Sequence, residues 1–228
     1  DGGSYDDYSI KIDSGDSGAV TFSGASKGVG GLNNYADIVP TAYEEVYDVT
    51  DGRDHGVVGN ISSTSSFAYN GTFGNLTLSA FYNPASTSSS SFVLQYADLI
   101  DGLTIGAGSG EVTTTQDEES VWVKYVTGGI TVGWQRSEVD FSAAATSDTE
   151  ADHYGISFAV NEDLTVSAGR QEVDFSGSGK EDEESSGISA SYTMGGLTIG
   201  GHANSTDSQD GNSGEDETSK SINFSFAF

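Results

Sequence analysis

Apolar residues recur at every second position through much of this chain, and the positions between them are small and neutral. The last segment, residues 221–228, shows it most plainly: Ile222, Phe224, Phe226 and Phe228 alternate with Asn223, Ser225 and Ala227. Tyr154, Ile156, Phe158 and Val160 alternate with Gly155, Ser157 and Ala159; Ile188, Ala190, Tyr192 and Met194 alternate with Ser189, Ser191 and Thr193. A period of two is that of a strand whose faces meet different surroundings. A soluble sandwich carries charged residues on its outward face. Here that second face is Gly, Ser, Thr and Asn, and the charge gathers in the connections. Apolar positions toward lipid and small polar positions toward a wet interior define a transmembrane antiparallel β-barrel.

The connections supply an independent argument. Short turns, near Gly15, Gly74, 99–102, 127–129, 161–163 and 195–196, alternate with long polar loops. The long loops are 32–65, 84–90, 113–119, 142–152, 176–186 and 205–219. Short turns on one side of a membrane and long loops on the other are a barrel pattern. A hairpin-scale repeat agrees, since residues 130–142 return 34 positions later as 164–176, ending in Glu-Val-Asp-Phe-Ser both times. One repeat is a strand, a loop, a strand and a turn. The pattern predicts thirteen strands in one domain over 1–228. An odd number cannot close an antiparallel barrel on itself, so the expectation is a wall that continues before Asp1.

Composition removes other classes. The 228 residues carry 8 Lys+Arg against 35 Asp+Glu, a formal charge of −27, which argues against nucleic acid as a partner. With no cysteine there is no disulfide framework, no Cys-based zinc site and no Cys nucleophile. His55, His153 and His202 are scattered, and no catalytic or phosphate-loop spacing is present, so an enzyme is not expected. No apolar run is long enough for a spanning helix, and no basic stretch followed by an apolar one opens the chain.

Across its length the sequence resembles the general diffusion porins of Gram-negative outer membranes. Three features carry this: the alternating Phe224, Phe226 and Phe228 at the end, the 32–65 connection, and the Gly18–Gly24 strand leading into it. The resemblance implies a sixteen-stranded barrel whose first three strands lie outside this chain, and a third loop (32–65) folded into the lumen. It also implies a homotrimer in the outer membrane, and a terminal Phe signature read by the outer-membrane assembly machinery. Residues 35–48 of the loop are consistent with a short helix N-capped near Thr41.

That loop is the main functional candidate. It holds Asp37, Glu44, Glu45, Asp48, Asp51 and Asp54, with Arg53 opposing. Carboxylates confined in a narrow aqueous constriction favour cations. Parity places Lys11 and Lys124 on the lumen face, with Lys27 if its strand continues regularly. Arg136 and Arg170 fall on the outward face near the outer lipid boundary, with Glu138 and Glu172. There they either bind lipopolysaccharide phosphates, directly or through divalent ions, or snorkel beside a neighbouring Glu. Outward Tyr8, Tyr69, Tyr82, Tyr96, Tyr125, Trp134, Tyr154 and Tyr192 are expected in belts at the two interfaces. No cofactor is required; the acidic runs 181–184 and 207–217 are candidates for Ca²⁺ without matching the EF-hand template.

The reading is a water-filled, cation-selective channel for passive diffusion of small hydrophilic solutes. A solute-specific channel of the same architecture would show a ladder of lumen aromatics and Arg, and here lumen aromatics are sparse, with Phe81 and Trp122 on that parity. A secreted acidic β-rich adhesin or surface protein is the third reading, and the terminal aromatic pattern argues against it.

Overall fold

The structure, a computed structural model, describes residues 8–24, 31–49, 58, 65–143 and 146–227. Among the described residues, thirteen strands form an antiparallel sheet ordered as they occur in sequence. They are β1 (Ser9–Asp13), β2 (Ala19–Ser23), β3 (Ser66–Phe73), β4 (Leu76–Asn83), β5 (Ser89–Ala97), β6 (Leu103–Val112) and β7 (Gln116–Thr127). The series continues with β8 (Ile130–Phe141), β9 (Thr149–Ala159), β10 (Leu164–Phe175), β11 (Glu183–Met194), β12 (Leu197–Asp207) and β13 (Glu217–Phe226). The described residues fall into two compact units, one from 1–37, 58–121 and 137–146, the other from 38–57, 122–136 and 147–228. Among the described residues no helix is long and apolar enough to cross a membrane, which leaves crossing by strands as the question.

The turns explain why strand follows strand. Two-residue connections join β3 to β4, β7 to β8 and β11 to β12, and their first residues are Gly74, Gly128 and Gly195 at φ 62°, 56° and 60°. Such tight hairpin turns need positive φ, which glycine adopts without a Cβ penalty. Between β9 and β10 the Asn161 carboxamide oxygen instead accepts N–H bonds from Asp163 and Leu164, both at 2.9 Å. An Asx turn of this kind replaces the backbone ladder where the strands end.

Burial is inverted relative to a soluble protein. Ile222, Phe224 and Phe226 on β13 are 72%, 61% and 60% exposed, while Ser79, Gln135 and Gln171 are almost wholly buried. Apolar side chains face outward on strand after strand, and an exposed apolar surface this continuous marks contact with lipid or protein rather than water. Of the residues expected in belts, Tyr8, Tyr82, Tyr96, Tyr125, Tyr154 and Tyr192 are exposed, and Tyr69 and Trp134 are half-buried.

Register converts the outward face of β9–β13 into rows. One row reads Phe158, Val166, Ala190, Gly201, Ile222, and the next reads Ile156, Ala168, Ile188, Ala203, Lys220. Above them come Tyr154, Arg170, Ser186, Ser205 and Thr218, then Asp152, Glu172, Glu184 and Asp207. The surface passes from hydrocarbon to carboxylate within a few residues, toward the long-loop ends. That is the polarity profile of a membrane interface.

Several strands reach further into the acidic segments than periodicity indicates. β7 begins at Gln116, β9 at Thr149 and β11 at Glu183, where polar loops are expected through 119, 152 and 186. Glu118 and Glu183 consequently stand on inward strand positions and are buried. The Glu118 carboxylate accepts from the Gln116 carboxamide, and Glu183 Oε2 accepts the Asp210 N–H at 2.8 Å. Hydrogen bonds of this kind allow an acid to sit where an apolar residue would otherwise be needed.

Candidate functional site

The site is the segment after β2 and the inward face it covers. In the first unit the loop enters as a short 3₁₀ helix, Gly31–Tyr35. Its amides are satisfied by the wall: Gly31 N–H donates to Ser79 Oγ of β4 at 2.8 Å and Leu32 N–H to Ser91 Oγ of β5 at 3.0 Å. Leu32 is fully buried. Gly108 of β6 makes room for it, because a Cβ there would come within 2.6 Å of Leu32 Cδ1. Burial pushes the Tyr35 phenol above its usual pKa, since desolvation disfavours the phenolate.

In the second unit residues 38–49 continue across the inward positions of β8 to β13. Ile38 N–H donates to Gln135 Oε1 of β8 at 2.8 Å, and Pro40 lies over Gly133, where a Cβ would meet Pro40 Cδ at 2.6 Å. Ala42 N–H donates to Ser167 Oγ of β10 at 2.9 Å and Tyr43 N–H to Ser189 Oγ of β11 at 3.1 Å. The two serines are themselves 2.7 Å apart, so each strand braces the other. Asn204 Nδ2 of β12 donates to the Glu45 carbonyl at 2.7 Å and the Asp48 carbonyl at 3.2 Å. Tyr47 meets His153 of β9 edge to face at 5.4 Å. A loop of this length stays ordered only if its backbone polar groups are satisfied, and neutral wall side chains satisfy these.

No helix forms at Thr41 among the described residues. A helical N-cap would accept an N–H from the following turn. Thr41 Oγ1 instead donates to the Glu44 carbonyl at 2.7 Å, and the chain runs on as bends and a turn closed by Asp48 N–H to Glu45 O at 3.2 Å. The wall amides and hydroxyls compete for the same backbone groups that a helix would use.

This turn brings Glu44, Glu45 and Asp48 together, with carboxylate oxygens all within 4.8 Å of one another. All three are half-buried, as is Asp37. Each pair at such a separation repels by about 1 to 4 kcal/mol between water-like and surface-like dielectric. The cluster therefore exists because the wall holds its backbone. Asp51, Asp54 and Lys27 lie outside the described residues. Lys11 is on the inward face of β1, exposed, with Asp13 at 3.4 Å; Lys124 is inward on β7 and half-buried.

Arg136 and Arg170 face outward and are engaged by carboxylates of neighbouring strands. Arg136 Nε donates to Asp152 Oδ1 at 3.1 Å, its Nη2 reaches Asp152 Oδ2, and Glu150 is 3.4 Å away. Trp134 Nε1 donates to the same Asp152 at 2.8 Å. Arg170 pairs with Glu172 and, at 3.1 Å, with Glu184 across the β10–β11 ladder. Glu138 shares the outward face of β8. Phe224 and Phe226 are outward on β13; Phe228 lies outside the described residues. Of the acidic runs, Glu183 and Glu184 are on a strand, and Glu181 Oε2 accepts from Ser208 Oγ at 3.1 Å.

Sequence reasoning missed the residues that seat the loop: Gln135, Ser167, Ser189, His202, Asn204 and Asn223. All have inward parity, so their face was visible. The glycines on the same face, Gly133, Gly155 and Gly200, carry a further signal, since a glycine inside a strand marks close approach of another chain segment.

No protein-family model matches the sequence, and no curated protein matches it. Solved structures do. A porin refined at 1.8 Å is 16% identical with a TM-score of 0.70, over 94% of this chain and 79% of that one. An anion-selective porin from Comamonas acidovorans is 13% identical with a TM-score of 0.69, over 97% and 77%. OpdK of Pseudomonas aeruginosa with vanillate is 14% identical with a TM-score of 0.63, over 92% and 66%. The fold is that of an outer-membrane porin β-barrel.

Proposed function

We propose that this chain forms a water-filled, cation-selective outer-membrane channel for passive diffusion of small hydrophilic solutes. The observation that carries the reading is the three-carboxylate turn, held against the polar inward face by neutral side chains. Ser167, Ser189 and Asn204 hold the loop backbone without adding positive charge of their own, and in this reading the charge of the turn acts on the aqueous path. A negative field in a confined, partly low-dielectric passage concentrates cations. The same fold is found in an anion-selective porin, so selectivity must come from constriction charge and not from architecture. The outward apolar rows and exposed tyrosines support an outer-membrane setting, and the assembly in this reading is a homotrimer. Lipopolysaccharide meets the charged rim at Arg136 and Arg170, and the assembly machinery reads the terminal Phe pattern.

The test is reversal potential in a planar bilayer under a KCl gradient. The unmodified chain is expected to prefer K⁺. Changing Glu44→Gln, Glu45→Gln and Asp48→Asn together lowers that preference while the variant still inserts. Anion preference in the unmodified channel sinks the reading.

A further inference from the structure

We infer that Asn204 is the positioning residue of the acidic turn: it holds Glu44, Glu45 and Asp48 in register, and ion selectivity depends on it through them. The inference rests on the channel reading above. Asn204 stands on the inward face of β12 and is only 3% exposed. Its Nδ2 donates to two carbonyls, Glu45 at 2.7 Å and Asp48 at 3.2 Å. These belong to the two ends of one turn, which Asp48 N–H closes onto Glu45 O at 3.2 Å. One amide thus spans the segment carrying two of the three acids, while Thr41 Oγ1 fixes the carbonyl of the third at 2.7 Å.

The chemistry of the position is narrow. A cationic side chain would hold the same carbonyls but would neutralise the carboxylates beside it. A carboxylate would turn an acceptor toward two acceptors and add to the repulsion. An apolar residue would leave both carbonyls without this donor. An amide is neutral and supplies two N–H groups from one nitrogen, so it resists the opening of a like-charged turn without cancelling its charge. The neighbouring strand accommodates it: Gly187 is the register partner of Asn204, and a Cβ there would run into the amide. Within the turn Val46 and Tyr47 are buried, so apolar packing adds to its seat.

The experiment is a cycle in the full chain. Asn204→Ala is made in the native background and in the Glu44→Gln/Glu45→Gln/Asp48→Asn background, and K⁺/Cl⁻ permeability ratios come from reversal potentials. In the native background the ratio is expected to fall at least about twofold, the lower end for groups in direct contact. In the triple-amide background it stays unchanged, because the acids through which Asn204 acts are gone. An equal fall in both backgrounds, or none in the native one, overturns the assignment. Asn204→Asp keeps the size and adds negative charge, so it tests the same point if the alanine variant does not insert. A fall in cation preference supports positioning, and a rise shows that charge count alone decides. Failure of the channel reading looks different: the unmodified chain then gives no conductance, or prefers anions, before any substitution at Asn204.

Discussion

Tyr43 of the loop lies nearly flat on His202 of β12, ring centroids 6.2 Å apart at 21°. The histidine is fixed from below, with Nε2 at 2.9 Å from Ser219 Oγ and Nδ1 at 3.1 Å from Ser221 Oγ, both on β13. The tyrosine is fixed at its far end, where its hydroxyl accepts from Asn223 Nδ2 at 2.6 Å. One loop aromatic is thereby tied to both of the last two strands, two residues before the acidic turn begins.

Removing the tie in parts should separate its contributions. Tyr43→Phe keeps the ring and loses one hydrogen bond, a cost of roughly 0.5–1.5 kcal/mol. Tyr43→Ala also loses the stack, a further roughly 0.5–1.5 kcal/mol. Thermal unfolding in detergent should fall in that order. Single-channel records should show more open-state noise for the alanine variant than for phenylalanine. Identical traces for the two would mean that the stack does not hold the loop.

The glycines beneath the loop give a prediction for conductance. At Gly200 a Cβ would approach Tyr43 Cγ to 2.8 Å, and at Gly155 it would approach the Pro40 carbonyl to 3.0 Å. Gly200→Val and Gly155→Val should lift the loop from its seat and raise single-channel conductance. Gly128→Ala is the control: its positive φ makes any Cβ strained, and nothing lies near it. It should cost about 1 kcal/mol of stability and leave conductance alone.

Much of the fold was legible because hydrophobic period and turn chemistry agree. Thirteen strands, and the hairpins at Gly74, Gly128 and Gly195, follow from alternation broken by residues that tolerate positive φ. Alternation failed at the strand ends near Glu118, Asp152 and Glu183, where carboxylates occupy pleat positions and erase the hydrophobic signal. Their partners, the Gln116 amide, Arg136 and the Asp210 N–H, are set by tertiary placement. The loop's location against the wall was expected, but its form was not. The small inward residues read as a surface toward water, whereas Ser79, Ser91 and Gln135 are buried donors and acceptors for another stretch of chain. Parity tells which face a residue is on; it cannot tell whether water or backbone will meet it.

The outward ion pairs should matter little to conduction. Asp152 receives both Arg136 and the Trp134 indole N–H. Arg136→Gln leaves it the indole alone, and a half-exposed pair of this kind contributes at most about 1 kcal/mol. The variant should melt slightly earlier in detergent with an unchanged K⁺/Cl⁻ ratio. A clear change in selectivity would place Arg136 on the aqueous path, contrary to its strand parity.

Selectivity itself should respond to the inward lysines and to salt in a linked way. Lys11 and Lys124 are the described lysines on the inward strand face, and the channel reading expects both to oppose the field of the loop carboxylates. Lys11→Gln with Lys124→Gln removes positive charge and leaves the acidic turn in place, so the K⁺/Cl⁻ ratio should rise. The rise should be larger in dilute salt. At 0.1 M the Debye length is about 10 Å, long enough for wall and loop charges to be felt across part of a pore; at 1 M it is about 3 Å. Both the native ratio and the gain from removing the lysines should therefore shrink as KCl is raised at a fixed gradient. The measurement is a reversal-potential series on the native and double-variant channels at matched ratios of KCl. A double variant that shifts toward anions would show that these lysines do not oppose the turn. A ratio indifferent to salt would mean that size, not charge, selects.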